Sequence, residues 1–264
     1  MENIPESSSK GTKRRRDEHS DAVKTSSLED DLTFSDTLVA LRIMRAQFPQ
    51  LPQASVEPFM LKSQLYSSVK DRTQVDRELE SLRRDKVLRV FKLNTGQDDH
   101  AVMFLDDYLK QVDRVVKRME GKIGGECEVF GWFKTHVLDS KLETGIEHQE
   151  LCSLLSLGGK VKDSHISLLI NAGLLTRQLI DPNMYWIAIP NIGSLLKGLV
   201  QGRKEIISIL SRRRYKEMML ASLEKKRLRM SPLDMRFHLR DLIGSGHLKT
   251  DQTPTGLIIR VSKD

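Results

Sequence analysis

The apolar positions of this chain follow a helical period, then a strand period, and the switch recurs. Phe34, Leu38, Leu41, Met44 and Phe48 stand three or four residues apart, which predicts one apolar helical face. Pro49 and Pro52 stop that helix. Pro58 is expected to open a second helix carrying Phe59, Leu61, Leu65 and Tyr66. Val75, Leu79 and Leu82 form the stripe of a third, with Thr73 to Asp76 resembling a capping pair. The period then drops to two. Val87–Phe91 and Ala101–Phe104 read as strands, and Asn94, Gly96 and Asp98 between them predict a hairpin.

The closing part of this pattern appears twice more. Ile166, Leu169 and Ile170 form a helix face ending at Asn171-Ala172-Gly173; Leu174–Arg177 and Tyr185–Ile189 flank the turn Asp181-Pro182-Asn183. Met235, Leu239, Leu242 and Ile243 do the same, followed by a strand near His247-Leu248, a turn at Thr253–Gly256 and a return at Leu257–Val261. Upstream helices complete both units: Val129, Trp132, Phe133 and Val137 with Leu151, Leu154 and Leu155, and then Ile206, Ile209 and Leu210 with Met219, Leu220 and Leu223. Three helices and a hairpin make a winged helix. The expected fold is therefore α+β, mostly α: three tandem winged-helix domains, each a helical bundle with a β-hairpin wing, over residues 33–115, 124–190 and 191–264. Matching helix ends are irregularly spaced, which favours tandem domains over a solenoid.

Residues 1–32 are polar and lack apolar periodicity, so they are expected to be a disordered basic tail. Lys13, Arg14, Arg15 and Arg16 form a short basic run that reads as a nuclear import signal; the plainer reading is a solvated charge cluster. Nothing at the N-terminus resembles the apolar core of a secretion signal. Cys127 and Cys152 are too few for a disulfide framework and lack zinc-ligand spacing. Nucleus is the expected location. No metal, nucleotide or other cofactor site is visible.

Charge changes the picture more than composition does. The chain carries a formal +7. Between Gln201 and Arg229 stand ten basic and three acidic residues, so this stretch alone equals the whole excess. Its candidates for binding DNA phosphates are Arg212, Arg213, Arg214, Lys216, Lys225, Lys226 and Arg227. Arg212–Arg214 are expected to fan around a helix. On the last helix, Arg236, His238 and Arg240 are the few candidates for reading base edges, so little sequence preference is expected. Arg72 and Arg77 on the third helix of the first unit are weaker candidates, because acids interleave with them. The second unit is poor in bases and suits a structural or protein-binding role. Trp132, Trp186 and Cys152 are expected in its core.

Several stretches carry a resemblance. Leu61–Leu79, Leu169–Thr176, Gly202-Arg203-Lys204 with Arg214–Glu217, and His238–Gly244 closely resemble the serine/threonine-protein kinase 19 family, and the likeness runs from about Phe34 to the C-terminus. Despite its name, that family implies a tandem winged-helix, DNA-binding protein acting in transcription-coupled nucleotide excision repair. The implied partners are double-stranded DNA and the stalled RNA polymerase with the Cockayne-syndrome ubiquitin ligase and the repair helicase complex. The family's DNA-contacting bases fall on Arg214, Lys226 and Arg227, while two more fall on Ser211 and Gln201, where this chain departs. Arg212 and Arg213 stand beside the first departure.

Two other classes compete. A kinase needs a Gly-rich loop, a catalytic Asp and a metal-binding Asp. Gly121–Glu128 does not match Gly-x-Gly-x-x-Gly, His238-Leu-Arg-Asp241 has an inserted residue, and Asp-Phe-Gly is absent. The chain is therefore expected not to be an enzyme. The other competitor is a winged-helix scaffold that binds proteins. The basic stretch argues against a pure scaffold. The sequence admits a homodimer without requiring one.

Overall fold

A short strand between the first and second helix is the feature that completes each sheet. In the computed structural model, which describes residues 35–49, 51, 56–96, 98–120 and 127–262, three small antiparallel sheets occur, each of three strands. The chain is mixed α/β, and one element order appears three times: helix, short strand, two helices, two paired strands. That order is compatible with the winged-helix reading.

In the first stretch, α1 (Asp36–Ala46) starts where the Ser35 side chain accepts from the Leu38 N–H. Strand β1 (Met60–Leu61) leads into α2 (Lys62–Ser68). The expected helix at Pro58 thus begins later, because residues 60 and 61 pair with Val102 and Ala101 of a later strand. Helix α3 (Arg72–Arg84) is capped by Asp71, whose carboxylate accepts from Thr73 and Gln74, and not by the Thr73–Asp76 pair. Strands β2 (Leu88–Lys92) and β3 (His100–Phe104) form the hairpin. Helix α4 (Leu105–Glu120) follows, burying Tyr108, Val112 and Val115.

The second stretch opens with α5 (Glu128–Trp132), a π-helical turn (Phe133–Val137) and α6 (Leu138–Ser140). Then come β4 (Gly145–Glu147), α7 (His148–Ser156), α8 (Asp163–Asn171), β5 (Leu175–Arg177) and β6 (Met184–Ile187), with β6 central in the sheet. Trp132, Trp186 and Cys152 are half-buried, not core. The Cys152 thiol lies 3.7 Å from His148 Nε2 at the rim of the core.

The third stretch holds α9 (Gly193–Ser211), β7 (Glu217–Met219), α10 (Leu220–Glu224), α11 (Met235–Gly244), β8 (Leu248–Thr253) and β9 (Gly256–Val261). Strand β9 pairs with both others, and Glu217 faces Arg260 across the sheet.

The three stretches do not have three separate cores. One apolar cluster joins Phe59, Phe91 and Tyr108 to Phe133, Leu169 and Leu195, and reaches Phe237 on α11. Two smaller clusters fill the first and third stretches. Phe237 packs edge to face on Phe48 and Phe59, and those two rings are tilted on each other, with centroids 5.3 to 6.2 Å apart, which joins α11 to the first stretch. Polar contacts reinforce this. The Arg89 guanidinium, buried beside β3, donates to the carbonyls of Leu138 at 3.1 Å and Lys141 at 2.7 Å. Gln64 Nε2 donates to the Phe237 carbonyl at 2.9 Å. Gly244 makes the closest approach, since a Cβ there would stand 1.7 Å from the Ser63 carbonyl oxygen of α2.

Candidate nucleic-acid interface

The basic surface of the third stretch is built by a turn and a loop. Helix α9 ends at Ser211 with Arg212 as its C-cap. The Lys216 N–H then donates to the Arg213 carbonyl at 3.1 Å, closing a four-residue turn. Lys216 has φ 53°, a left-handed conformation uncommon for a side chain with a Cβ, which redirects the chain into β7. The Val261 N–H donates to the Lys216 carbonyl at 3.1 Å, so the turn is anchored to β9. Arg213 and Arg214 therefore project from a turn and do not fan around a helix. The helical reading failed because the α9 apolar stripe ends at Leu210, and no apolar residue beyond it binds a further turn to the core.

The second basic run follows α10. Lys225 is its C-cap, and the Lys226 N–H donates to the Leu223 carbonyl at 3.0 Å. The loop beyond is held to α9, because the Glu205 carboxylate accepts from the Arg229 and Met230 N–H groups at 3.0 to 3.1 Å. The two runs thus lie at the two ends of the short β7–α10 segment.

Arg212, Arg213, Arg214, Lys216, Lys225, Lys226 and Arg227 are all exposed. Among the described residues, none of the seven is held in an ion pair, while the nearby acids are engaged. Glu217 accepts from Arg260 at 2.8 Å, Glu224 stands 4.0 Å from Arg236, and Glu205 caps the loop. Lys204 and Arg229 are exposed as well. Exposed cations outside any ion pair among the described residues, beside acids that are already engaged, suit binding to a polyanion.

Arg203 belongs elsewhere. It is buried, donates from Nε to Asp241 at 2.6 Å, and meets Asp99 at 2.7 and 3.0 Å. Asp241 is fully buried and also accepts from Ser63 at 2.6 Å. Burial works against the Arg203 charge, yet the hydrogen bonds to Asp241 and Asp99 raise its pKa above the ordinary value. Burial alone would push the Asp99 carboxyl up, but the hydrogen bonds from Arg203 and Thr95 bring it below the usual range. Arg203 is thus a structural tie between α9, α11 and the first hairpin, and does not join the exposed cluster.

The same junction closes the expected base-reading helix. Helix α11 packs on α2, with Arg72 donating to the Gly244 carbonyl at 3.0 Å. His238 is fully buried, its Nε2 2.8 Å from Ser231 Oγ, and a Cβ on Gly202 of α9 would stand 2.3 Å from that nitrogen. Arg240 donates to Gln47 at 2.6 Å, and Arg236 faces Glu224. His238 therefore reaches no groove, and Arg236 and Arg240 are engaged with protein. Residue spacing alone did not reveal which side of α11 meets the first stretch.

Burial drives the His238 pKa down to about 4, against Asp241, Asp234 and Glu205, which favour its proton, and Arg203, which opposes it. An unfolded histidine takes its proton near pH 6.5, so between the two values the unfolded state binds more protons and stability falls as pH drops. We expect the stability difference between this chain and a His238→Gln variant to shrink by up to about 3 kcal/mol from pH 7 to pH 4. Urea unfolding of both proteins across that range checks this; a constant difference would refute it.

The first stretch offers less. Arg72 is committed to Gly244 and stacks 5.2 Å from the Tyr66 ring. Arg83 and Arg84 pair with Glu80 at 2.9 and 3.1 Å. Arg77 remains exposed on α3. Lys13–Arg16 lie outside the described residues, as does most of the Gly121–Glu128 segment. Among the described residues, no cluster of histidine, cysteine or carboxylate side chains is arranged to hold a metal ion, and no helix is long and apolar enough to cross a membrane.

The model of one family, described as inactive serine-threonine protein kinase 19, matches residues 26–261. The chain belongs to this family. A relative named winged helix repair factor 1 from Homo sapiens is 30% identical over 217 residues, covering 81% of each chain. A relative of the same name from Xenopus laevis is 29% identical over 233 residues, covering 85% of this chain and 83% of its own. One from Dictyostelium discoideum is 26% identical over 267 residues, covering 88% of this chain and 66% of its own. These names agree with the winged-helix element order and with a link to repair.

Proposed function

We propose that this family member is a non-enzymatic nuclear protein of three tandem winged-helix domains that binds duplex DNA with little sequence preference. The observation that carries the reading is the set of seven exposed cations, outside any ion pair among the described residues, on the Arg212–Lys216 turn and the Lys225–Arg227 run. Their engagement is with phosphates, since the helix suited to base reading is packed against the first stretch. Asp241 supports the non-enzymatic reading: the one aspartate in a kinase-like motif is fully buried and occupied by Arg203 and Ser63. The names of the relatives support a repair role. Its placement in transcription-coupled nucleotide excision repair, beside a stalled RNA polymerase with the Cockayne-syndrome ubiquitin ligase and the repair helicase complex, rests on the family resemblance.

A second surface favours protein contact. At the tip of the β5–β6 hairpin, Leu179 and Ile180 are 93% and 98% exposed, and two such neighbours are costly to leave in water. The second domain then binds a partner while the third holds DNA. The DNA reading is tested by duplex titration over a salt series. With five phosphate contacts, log affinity against log salt has an expected slope of roughly −4 to −5. A slope near zero would contradict it.

A further inference from the structure

Within the basic turn stands one exposed aromatic side chain. Tyr215 is 64% exposed. It and Arg214 are the two central residues of the turn closed by Lys216 and Arg213, so both project outward from its tip. The turn is anchored at its base by the Val261–Lys216 hydrogen bond, which places the ring on a fixed part of the sheet edge. The Arg214 guanidinium lies 5.2 Å from the ring centroid and covers part of it; the rest faces solvent. Beside it is an open concavity of about 510 Å³ lined by Arg214, Tyr215, Lys216, Glu217 and Arg260. Its single acid is paired with Arg260, so the hollow is net positive.

We propose that Tyr215 is a stacking platform for an unpaired base, so that this surface prefers DNA in which a duplex gives way to single strand. The inference rests on the proposed DNA binding and names the nucleic-acid structure it selects. The bases of an intact duplex are already stacked on each other and present only their edges, so an aromatic ring gains nothing from them. An unpaired base has two free faces. Stacking on an aromatic side chain is indifferent to base identity, which agrees with a surface lacking base-edge readers. Arg214 and Lys216 then neutralise the phosphates on either side of the stacked nucleotide.

The test titrates the full chain, Tyr215→Ala and Tyr215→Phe with three labelled DNAs: a short duplex, the same duplex with a single-stranded extension, and that extension carrying 2-aminopurine at its first unpaired position. Because Tyr215 is exposed, both variants should retain the parent melting temperature. The wild-type chain is expected to bind the extended duplex about tenfold more tightly than the plain one and to quench the 2-aminopurine. Tyr215→Ala should lose the preference and the quenching while keeping plain-duplex affinity, and Tyr215→Phe should keep all three. Equal wild-type affinity for both DNAs overturns the stacking proposal and leaves duplex binding standing. So does a Tyr215→Ala variant that weakens both DNAs alike. If the wild-type chain binds neither, both this proposal and the DNA reading fail.

Discussion

Replacing Arg203 with alanine is expected to lower the unfolding free energy by about 3–5 kcal/mol, the cost of leaving one buried and one half-buried carboxylate without their counter-charge. Asp99 and Asp241 are the groups left behind, and Asp241 has no access to water. The three side chains belong to the β2–β3 hairpin, α9 and α11, so the loss is felt across the described body and not in one stretch. For a body of this size the melting temperature should fall by roughly 10 °C. Arg203→Lys should not restore it, because an ammonium is a single point charge and does not reproduce the forked donation to two carboxylates. Thermal unfolding followed by circular dichroism checks both variants; a change in stability below about 1 kcal/mol for the alanine variant would mean that the pair is dispensable.

Reversing the charge of Arg212, Arg213, Arg214, Lys226 and Arg227 to glutamate should have the opposite profile: folding preserved and duplex affinity lost. All five are exposed and outside any ion pair among the described residues, so each change should alter stability by no more than about 0.5 kcal/mol. Five attractive phosphate contacts become five repulsions. The expected loss in affinity is roughly a hundredfold or more at moderate salt, since non-specific binding is supplied almost wholly by such contacts. The Arg77→Glu change on α3 serves as a comparison, because Arg77 is exposed but stands among acids.

The hairpins were legible because a two-residue period contrasts sharply with the helical stripes before it. The first strand of each sheet was not. Met60–Leu61, Gly145–Glu147 and Glu217–Met219 span only two or three residues, too few to establish any period, and they exist because a distant return strand offers them partners. Helix α4 has Tyr108, Val112 and Val115 at helical spacing, but it lies beyond the hairpin, where the repeat predicts no element. The basic cluster was visible as text, for runs of arginine and lysine without apolar neighbours have no reason to be buried. Arg203 is one of the ten basic residues counted in that stretch but lies apart from the cluster. Its partners Asp99 and Asp241 are 104 and 38 residues away, and no local pattern announces them. His238 is closed off for the same reason: a helix with two usable faces reveals its buried one only when the neighbouring stretch is in place.

The most direct test of the account is a side-by-side titration of fluorescent duplex DNA with the wild-type chain and the five-glutamate variant across a series of salt concentrations, with circular dichroism on both. With phosphates held by the Arg212–Arg227 surface, the wild-type chain binds with a steep salt slope, roughly −4 to −5, and the folded variant does not bind. Equal affinity and equal slope for the two folded proteins would contradict it and place the DNA, if anywhere, away from the Arg212–Arg227 surface.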